Sequence, residues 1–313
     1  MKIIFFGSSQ FAVPSLKALV SSGQEISGVV TQPDRTKGRG LHLEFTPVKS
    51  AAKECGLGVL QFEDINTLHA QKMLKEKDAD LFVVVSFGQI LSGKILNTAK
   101  IFSINAHASI LPSYRGAAPI NWALIKGEAK TGVTIIKMTE KMDAGPVIMK
   151  EELFIEVQDT NITLENKLSN LASGLLLKSI KGIEKDEIKL LEQDTARVSF
   201  APKLKKEDGL IKWENPAEDI SNLIRGTFGW PGAFTYHKGK ILKIYKIRIK
   251  EGSIRSADCK PGDVLEVTRE GIAVGAGDKQ ILIEKLQIEG KRLMHAEEFI
   301  SGHNISVGDR LGK

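Results

Sequence analysis

A chain of 313 residues that is 42% hydrophobic and 26% charged can bury one large core or two smaller ones, which excludes disordered and fibrous classes. Two widely spaced cysteines, Cys55 and Cys259, exclude a disulfide framework and carry no metal-ligand spacing, so a reducing, cytoplasmic setting is expected. The formal charge of +6 is small, and no run of eighteen apolar residues offers a membrane span.

The N-terminal “KIIFFG” reads as a buried strand, because Gly7 cuts the apolar run too short for a secretory signal. Helix “FAVPSLKALVSSG” and strand “EISGVVTQ” follow, then a basic loop rich in glycine. In “TPVKSAAKECG” Thr46 is placed to cap a helix with Pro47 in its first turn. “LGVLQF”, “TLHAQKMLKEKDA” and “DLFVVVS” continue the strand–helix rhythm, and near-continuous apolar strands such as Phe82 to Val85 predict burial on both faces. Strands “KIFSIN”, “TGVTIIKM” and “PVIMKEELFI” precede a long amphipathic helix across about 160–181, with Leu164, Leu168, Leu171 and Leu175 on its apolar stripe. This pattern predicts an α/β domain with a doubly wound, mostly parallel sheet over residues 1–188.

The rhythm then changes. Residues 189–207 read as a charged connector without period. Beyond it, Asn215 and Pro216 are expected to open a short helix ended by Gly226, followed by alternating strands at 241–249, 263–268, 272–275 and 280–288. A small antiparallel β-barrel of the kind that binds oligonucleotides is therefore expected over 208–313. From Lys203 onward there are 20 Lys+Arg against 16 Asp+Glu, and “HKGKILKIYKIRIK” (237–250) holds six basic residues and no acid. A basic strand pair suits a polyanionic partner, although composition alone fits an ordinary solvated face as well.

A doubly wound sheet invites a nucleotide reading, which the glycines do not support. “GSSQF” has one glycine where a dinucleotide-binding turn needs three. “GQILSGKI” (88–95) matches G-x-x-x-x-G-K but puts Ile95 where a phosphate loop needs a hydroxyl. The stretch reads better as an apolar lip at a strand's carboxyl end, able to cover a flat heterocycle.

One constellation remains. Strand period two puts Asn105 and His107 on one face at the end of “KIFSINAH”. In open parallel sheets ligands bind at such ends. Asp143, in the turn “MDAGPV”, offers a carboxylate. An imidazole that can take a proton, a carboxylate to hold it and an amide to steady an oxyanion suit acyl transfer to an amine. Each residue alone has an ordinary structural explanation, a satisfied strand-end histidine or an Asp-x-Gly turn, so the residues themselves reach only as far as an acyl-transfer site.

“NAHASILPSYRGAAPINWALIKG” with the downstream “MDAGPV” resembles the signature of the folate-dependent formyltransferases, where Asn-x-His, Ser-Leu-Leu-Pro-x-x-Arg-Gly and Asp-[Thr/Ala]-Gly mark the site. The likeness runs from “IIFFGSSQFAVPSL” through “VVTQPDRTKGRG” and “GVTIIKM” to “GWPGAF”, and it is strongest to members acting on methionyl-tRNA. The resemblance implies that Asn105, His107 and Asp143 form the catalytic set. It implies that Ser109, Ile110, Leu111 and Pro112 line the folate site with the backbone around Phe87, Gly88, Gln89, Ile90 and Leu91. The donor would be 10-formyltetrahydrofolate, the acceptor initiator methionyl-tRNA, with no metal or redox cofactor. The “DRTKGRG” loop would bring Lys37 and Arg39 to the acceptor stem. Relatives often continue with lysines where this chain has Leu41, His42, Leu43 and Glu44, which shifts weight to Lys238, Lys240, Lys243 and Lys246 of the basic strand pair. A monomer is expected, since no apolar seam demands a partner. The readings that compete are a formyltransferase for an amino sugar nucleotide, a hydrolase of the same donor, and a non-catalytic RNA-binding protein on this fold.

Overall fold

The computed structural model describes residues 1–37, 42–253 and 260–312. The chain separates into two units, Met1–Pro119 with Lys130–Phe154 and Leu164–Pro202, and Ile120–Ala129 with Ile155–Thr163 and Lys203–Lys313.

In chain order the elements up to the long helix are β1 (Lys2–Gly7), α1 (Val13–Ser21), β2 (Glu25–Thr31), β3 (Arg35–Lys37), β4 (His42–Glu44), α2 (Pro47–Glu54), β5 (Val59–Gln61), α3 (Leu68–Glu76), β6 (Leu81–Val85), α4 (Gly93–Leu96), β7 (Phe102–His107), α5 (Pro119–Ile125), β8 (Lys130–Lys137), β9 (Val147–Phe154) and α6 (Asn161–Glu184). The first unit is built on a seven-stranded sheet in the order β5-β2-β1-β6-β7-β8-β9. Its first five strands in that order run parallel, and β8 and β9 are antiparallel to their neighbours. Residues Ile3 to Phe6 and Leu81 to Val83 are completely buried, as strands covered on both faces must be. The sheet order reverses between β1 and β6, the point at whose carboxyl strand ends open parallel sheets bind ligands. Gly7 belongs to that junction because a Cβ there would lie 2.8 Å from the Phe5 ring and 3.0 Å from the Val85 carbonyl. Thr46 caps α2 as expected, its hydroxyl accepting from Lys49 N at 3.1 Å.

The second unit carries α7 (Ala217–Gly226), β10 (Phe234–His237), β11 (Lys240–Ser253), β12 (Val264–Thr268), β13 (Gly271–Gly275), β14 (Lys279–Ile288), β15 (Met294–His295) and α8 (Ala296–Gly302). Its antiparallel sheet has the order β10-β11-β14-β13-β12, with β15 on β14, and the run β11-β14-β13-β12 is a Greek key. The C-terminal segment closes the sheet on itself. Leu311 N donates to Gly262 O and Val264 N to Asp309 O beside β12, while Gly312 N donates to Tyr236 O on β10. One core, including Trp213, Ile220, Leu242, Ile283 and Phe299, fills this partly closed barrel.

Two local expectations are corrected. The cap of α7 is Pro216, one residue later than Asn215, and Pro216 has no side-chain acceptor. Asp278, from the turn before β14, supplies it by accepting from Ala217 N at 2.7 Å. Residues 191–201, expected as connector, are bound into the first unit: Leu191 pairs with Val147 and Phe200 with Arg115. The short strand β10 and the helix α8 were not expected from the sequence.

Candidate active site

β7 lies where the sheet turns from parallel to antiparallel. Asn105 pairs with Val84 on one side and Ile136 on the other, and His107 pairs with Thr134. His107 is buried, and its Nε2 lies 2.9 Å from the Tyr114 carbonyl. A carbonyl can only accept, so Nε2 carries a hydrogen and any proton that comes and goes does so on Nδ1. Nδ1 faces Asp143, with Oδ2 at 3.6 Å. The same Oδ2 accepts from Gly116 N at 2.9 Å. The structure brings Asp143 beside His107, with Asn105 two residues before His107 on β7. The half-buried Asn105 amide has no protein hydrogen-bond partner among the described residues and is available to a ligand.

Backbone geometry holds this arrangement. Tyr114 and Asp143 adopt φ of 62° and 50°, a region non-glycine residues rarely occupy. Gly116 sits at φ 124°, and a Cβ there would lie 2.6 Å from the Ala201 carbonyl. Gly145 is packed more tightly still, since its Cβ would meet Lys137 O at 1.8 Å. The turn that carries Asp143 therefore lies flat on the end of β8.

The residues expected to line a folate site fall into two groups. Between β7 and the corner at Arg115, the Ser109 hydroxyl donates to Ser113 O at 2.6 Å, and Leu111 N donates to the Thr134 hydroxyl at 3.1 Å. The Leu111 side chain packs with Ile136 and Val147, while Ile110 and Pro112 stay half-buried. After β6, Phe87 and Leu91 are core side chains, and Phe87 O accepts from the Ser8 hydroxyl and the Gln32 amide. Gly88 takes φ 91°. Gln89 is tied to the backbone of residues 62–65, and Ile90 is 64% exposed. Ser109, Phe87, Leu91, Leu111 and Gln89 thus direct their side chains into the fold, which leaves Ile90, the half-buried Ile110 and Pro112, and the turn backbones as the accessible parts.

The described residues among those expected to meet tRNA fall on two hairpins, β3–β4 and β10–β11. Arg39 lies outside the described residues, and Lys37 ends β3, whose pairing with β4 brings it opposite His42. At the foot of that hairpin Asp34 is bonded by the Lys49 ammonium and by Gln61, and the Lys49 bond holds its carboxyl below the ordinary value. Lys238 forms the two-residue turn between β10 and β11 with Gly239, both at positive φ, and its ammonium lies 3.0 Å from Asp309. Lys240 is exposed, Lys243 donates to Pro231 O at 3.1 Å, and Lys246 pairs with Glu284 at 2.9 Å. The run 237–250, acid-free in sequence, meets acids from neighbouring elements: Glu284 also faces Arg248, and Glu266 faces Lys250.

Gln193, Thr134 and Ser199 were not singled out from the sequence. Thr134 bridges Leu111 N and Ser109 O, and the Ser199 hydroxyl accepts from Tyr114 N at 2.9 Å. Gln193 joins Arg115 to the Asp143 turn. All three act across long sequence separations, and the segment around Gln193 has no periodicity that would mark it.

The fold and site are thus a mostly parallel sheet in which β7 ends in an amide and an imidazole, with a carboxylate brought beside the imidazole from the turn between β8 and β9. The family model described as “Formyl transferase” matches residues 1–180, and that described as “Formyl transferase, C-terminal domain” matches 203–304. A methionyl-tRNA formyltransferase of Geobacter metallireducens is 41% identical over 313 residues, 100% of this chain and 99% of that protein. One from Thermodesulfovibrio yellowstonii is 44% identical over 306 residues, covering 98% and 97%. Among solved structures, the sugar 3N-formyl transferase WlaRD shares the fold at a TM-score of 0.67 with 21% identity over 93% of this chain and 99% of that one. The chain belongs to the formyl transferase family, and within it to the methionyl-tRNA formyltransferases.

Proposed function

We propose that this protein transfers the formyl group of 10-formyltetrahydrofolate to the α-amine of initiator methionyl-tRNA, giving the formylated tRNA used to start translation. What carries the reading is that likeness to methionyl-tRNA formyltransferases spans the whole chain, so the second unit accompanies the catalytic one. The first unit would carry catalysis and the second tRNA binding, in a cytoplasmic monomer.

In the mechanism this site supports, the amine lone pair attacks the formyl carbon and the carbonyl electrons move to oxygen. The free Asn105 amide donates to that oxyanion. His107 Nδ1 and the Asp143 carboxylate beside it take the amine proton, directly or through a water. When the intermediate collapses, its bond to N10 of the folate breaks, and N10 takes up a proton as it leaves. Acid–base assistance of this kind contributes roughly 10²–10⁴-fold. The turns at 87–91 and 109–112 would hold the folate, with the exposed Ile90 over its ring system. No group of three or more His, Cys, Asp or Glu among the described residues is arranged to hold a metal ion.

A sugar acceptor is the second reading, and WlaRD shares its fold. The test offers the purified protein 10-formyltetrahydrofolate with charged initiator tRNA, with an amino sugar nucleotide, or with buffer alone. Formylation of the tRNA is expected. Formylation of only the sugar, or release of formate in buffer at the same rate, would replace the proposal.

A further inference from the structure

We infer that Gln193 is a positioning residue, which fixes the Asp143 turn and so the separation between the carboxylate and His107. The inference rests on the catalytic role proposed for Asp143.

A glutamine amide has two N–H donors and an oxygen with two lone pairs, and at Gln193 all four are used. Nε2 donates to Asp143 O at 2.8 Å and to Gly145 O at 2.7 Å. Oε1 accepts from Arg115 Nε at 3.1 Å and Nη2 at 2.6 Å. One side chain thus spans the two loops that meet at the carboxylate. On the turn side it grips the carbonyls of Asp143 and Gly145, where Asp143 is in the left-handed region and cannot hold its conformation cheaply without support. On the other side it grips Arg115, whose next residue, Gly116, donates its N–H to Asp143 Oδ2.

Gln193 is itself anchored. Leu191 exchanges backbone hydrogen bonds with Val147 at 2.7 and 2.9 Å, and Arg115 is bonded on both backbone faces, to Ser199 O and from Ala201 N. Between residues 191 and 197 Gln193 is the one residue not exposed. None of its four bonds is to His107, so it acts through Asp143. Asparagine is a methylene shorter, glutamate lacks the donors, and methionine lacks both functions, which makes the position chemically specific.

The experiment measures formylation of charged tRNA by Gln193→Met and Gln193→Glu in the full chain, each also combined with Asp143→Asn. The single variants should lose roughly 10–100-fold in kcat, as a small displacement of a catalytic group does, while KM for both substrates stays within about threefold. In the Asp143→Asn background, Gln193→Met should cost less than about threefold further, because the carboxylate it positions is already gone. Unchanged kcat in the single variants, or losses that multiply in the double, would overturn the role. Thermal unfolding identifies a variant that does not fold, and Arg115→Lys, which removes the bidentate side of the clamp, then enters the same cycle and is read the same way. Full turnover by Asp143→Asn would instead remove the catalytic reading beneath this one. An inactive Asp143→Asn beside fully active Gln193 variants would remove Gln193 alone.

Discussion

Tyr114 and Asp143 are held at φ of 62° and 50°, and both turn a polar group toward His107. Left-handed conformations cost non-glycine residues roughly 1 kcal/mol, so two of them around one imidazole mark where the fold spends stability on geometry. The Tyr114 carbonyl fixes which ring nitrogen keeps its hydrogen, and that leaves Nδ1 to exchange protons beside Asp143. His107→Ala should lower turnover at least about a hundredfold, or about 3 kcal/mol of barrier, with affinity for tRNA unchanged. Steady-state kinetics with a parallel binding titration check this. Near-normal turnover would mean that the imidazole is structural.

At the scale of elements, β7 was legible because its chemistry is local. A strand that alternates and then stops at His107 has Asn105 and His107 on one face, and pairing with β6 and β8 keeps them there. The charge of β11 was less legible, because strand neighbours distant in sequence decide it. Lys246 and Arg248 share Glu284, and Lys250 meets Glu266, so the basic run is largely compensated across the sheet. Gln193 was invisible for the same reason: its partners lie 78 and 50 residues away. Among the described residues the exposed Lys240 and the partly buried Lys243 meet no acid, and they become the residues that test a tRNA contact on the β10–β11 hairpin. Charge reversal at either should weaken binding and reduce the slope of log K against log salt by about one, with a smaller effect for Lys246. Binding measured from low to moderate salt gives the slope, and an unchanged slope would remove this hairpin from the interface.

At the scale of the molecule, the barrel of the second unit depends on its last residues. An open sheet of five strands leaves β10 and β12 as edges, and residues 309–312 bond to both. Asp309 is the electrostatic lock of that closure: Oδ2 lies 3.0 Å from His237 Nε2, 3.0 Å from Lys238 Nζ and 3.1 Å from Ser306 N. The hydrogen bond from His237, then that from Lys238, pushes its carboxyl down to about 2 from 3.8. A carboxyl whose pKa is lower when folded than unfolded stabilises the fold above the unfolded value. That stabilisation disappears as pH falls through the folded one, here between about pH 4 and 2. The shift corresponds to at most about 2 kcal/mol, and partial solvent access at the site brings the expected value nearer 1 kcal/mol. Asp309→Asn should therefore melt a few degrees below the parent at pH 5.5, and the difference should shrink progressively below about pH 4 and disappear only below about pH 2. Thermal unfolding of both proteins across this range checks it. A difference that stays constant with pH would show that the closure rests on its backbone bonds rather than on the carboxylate.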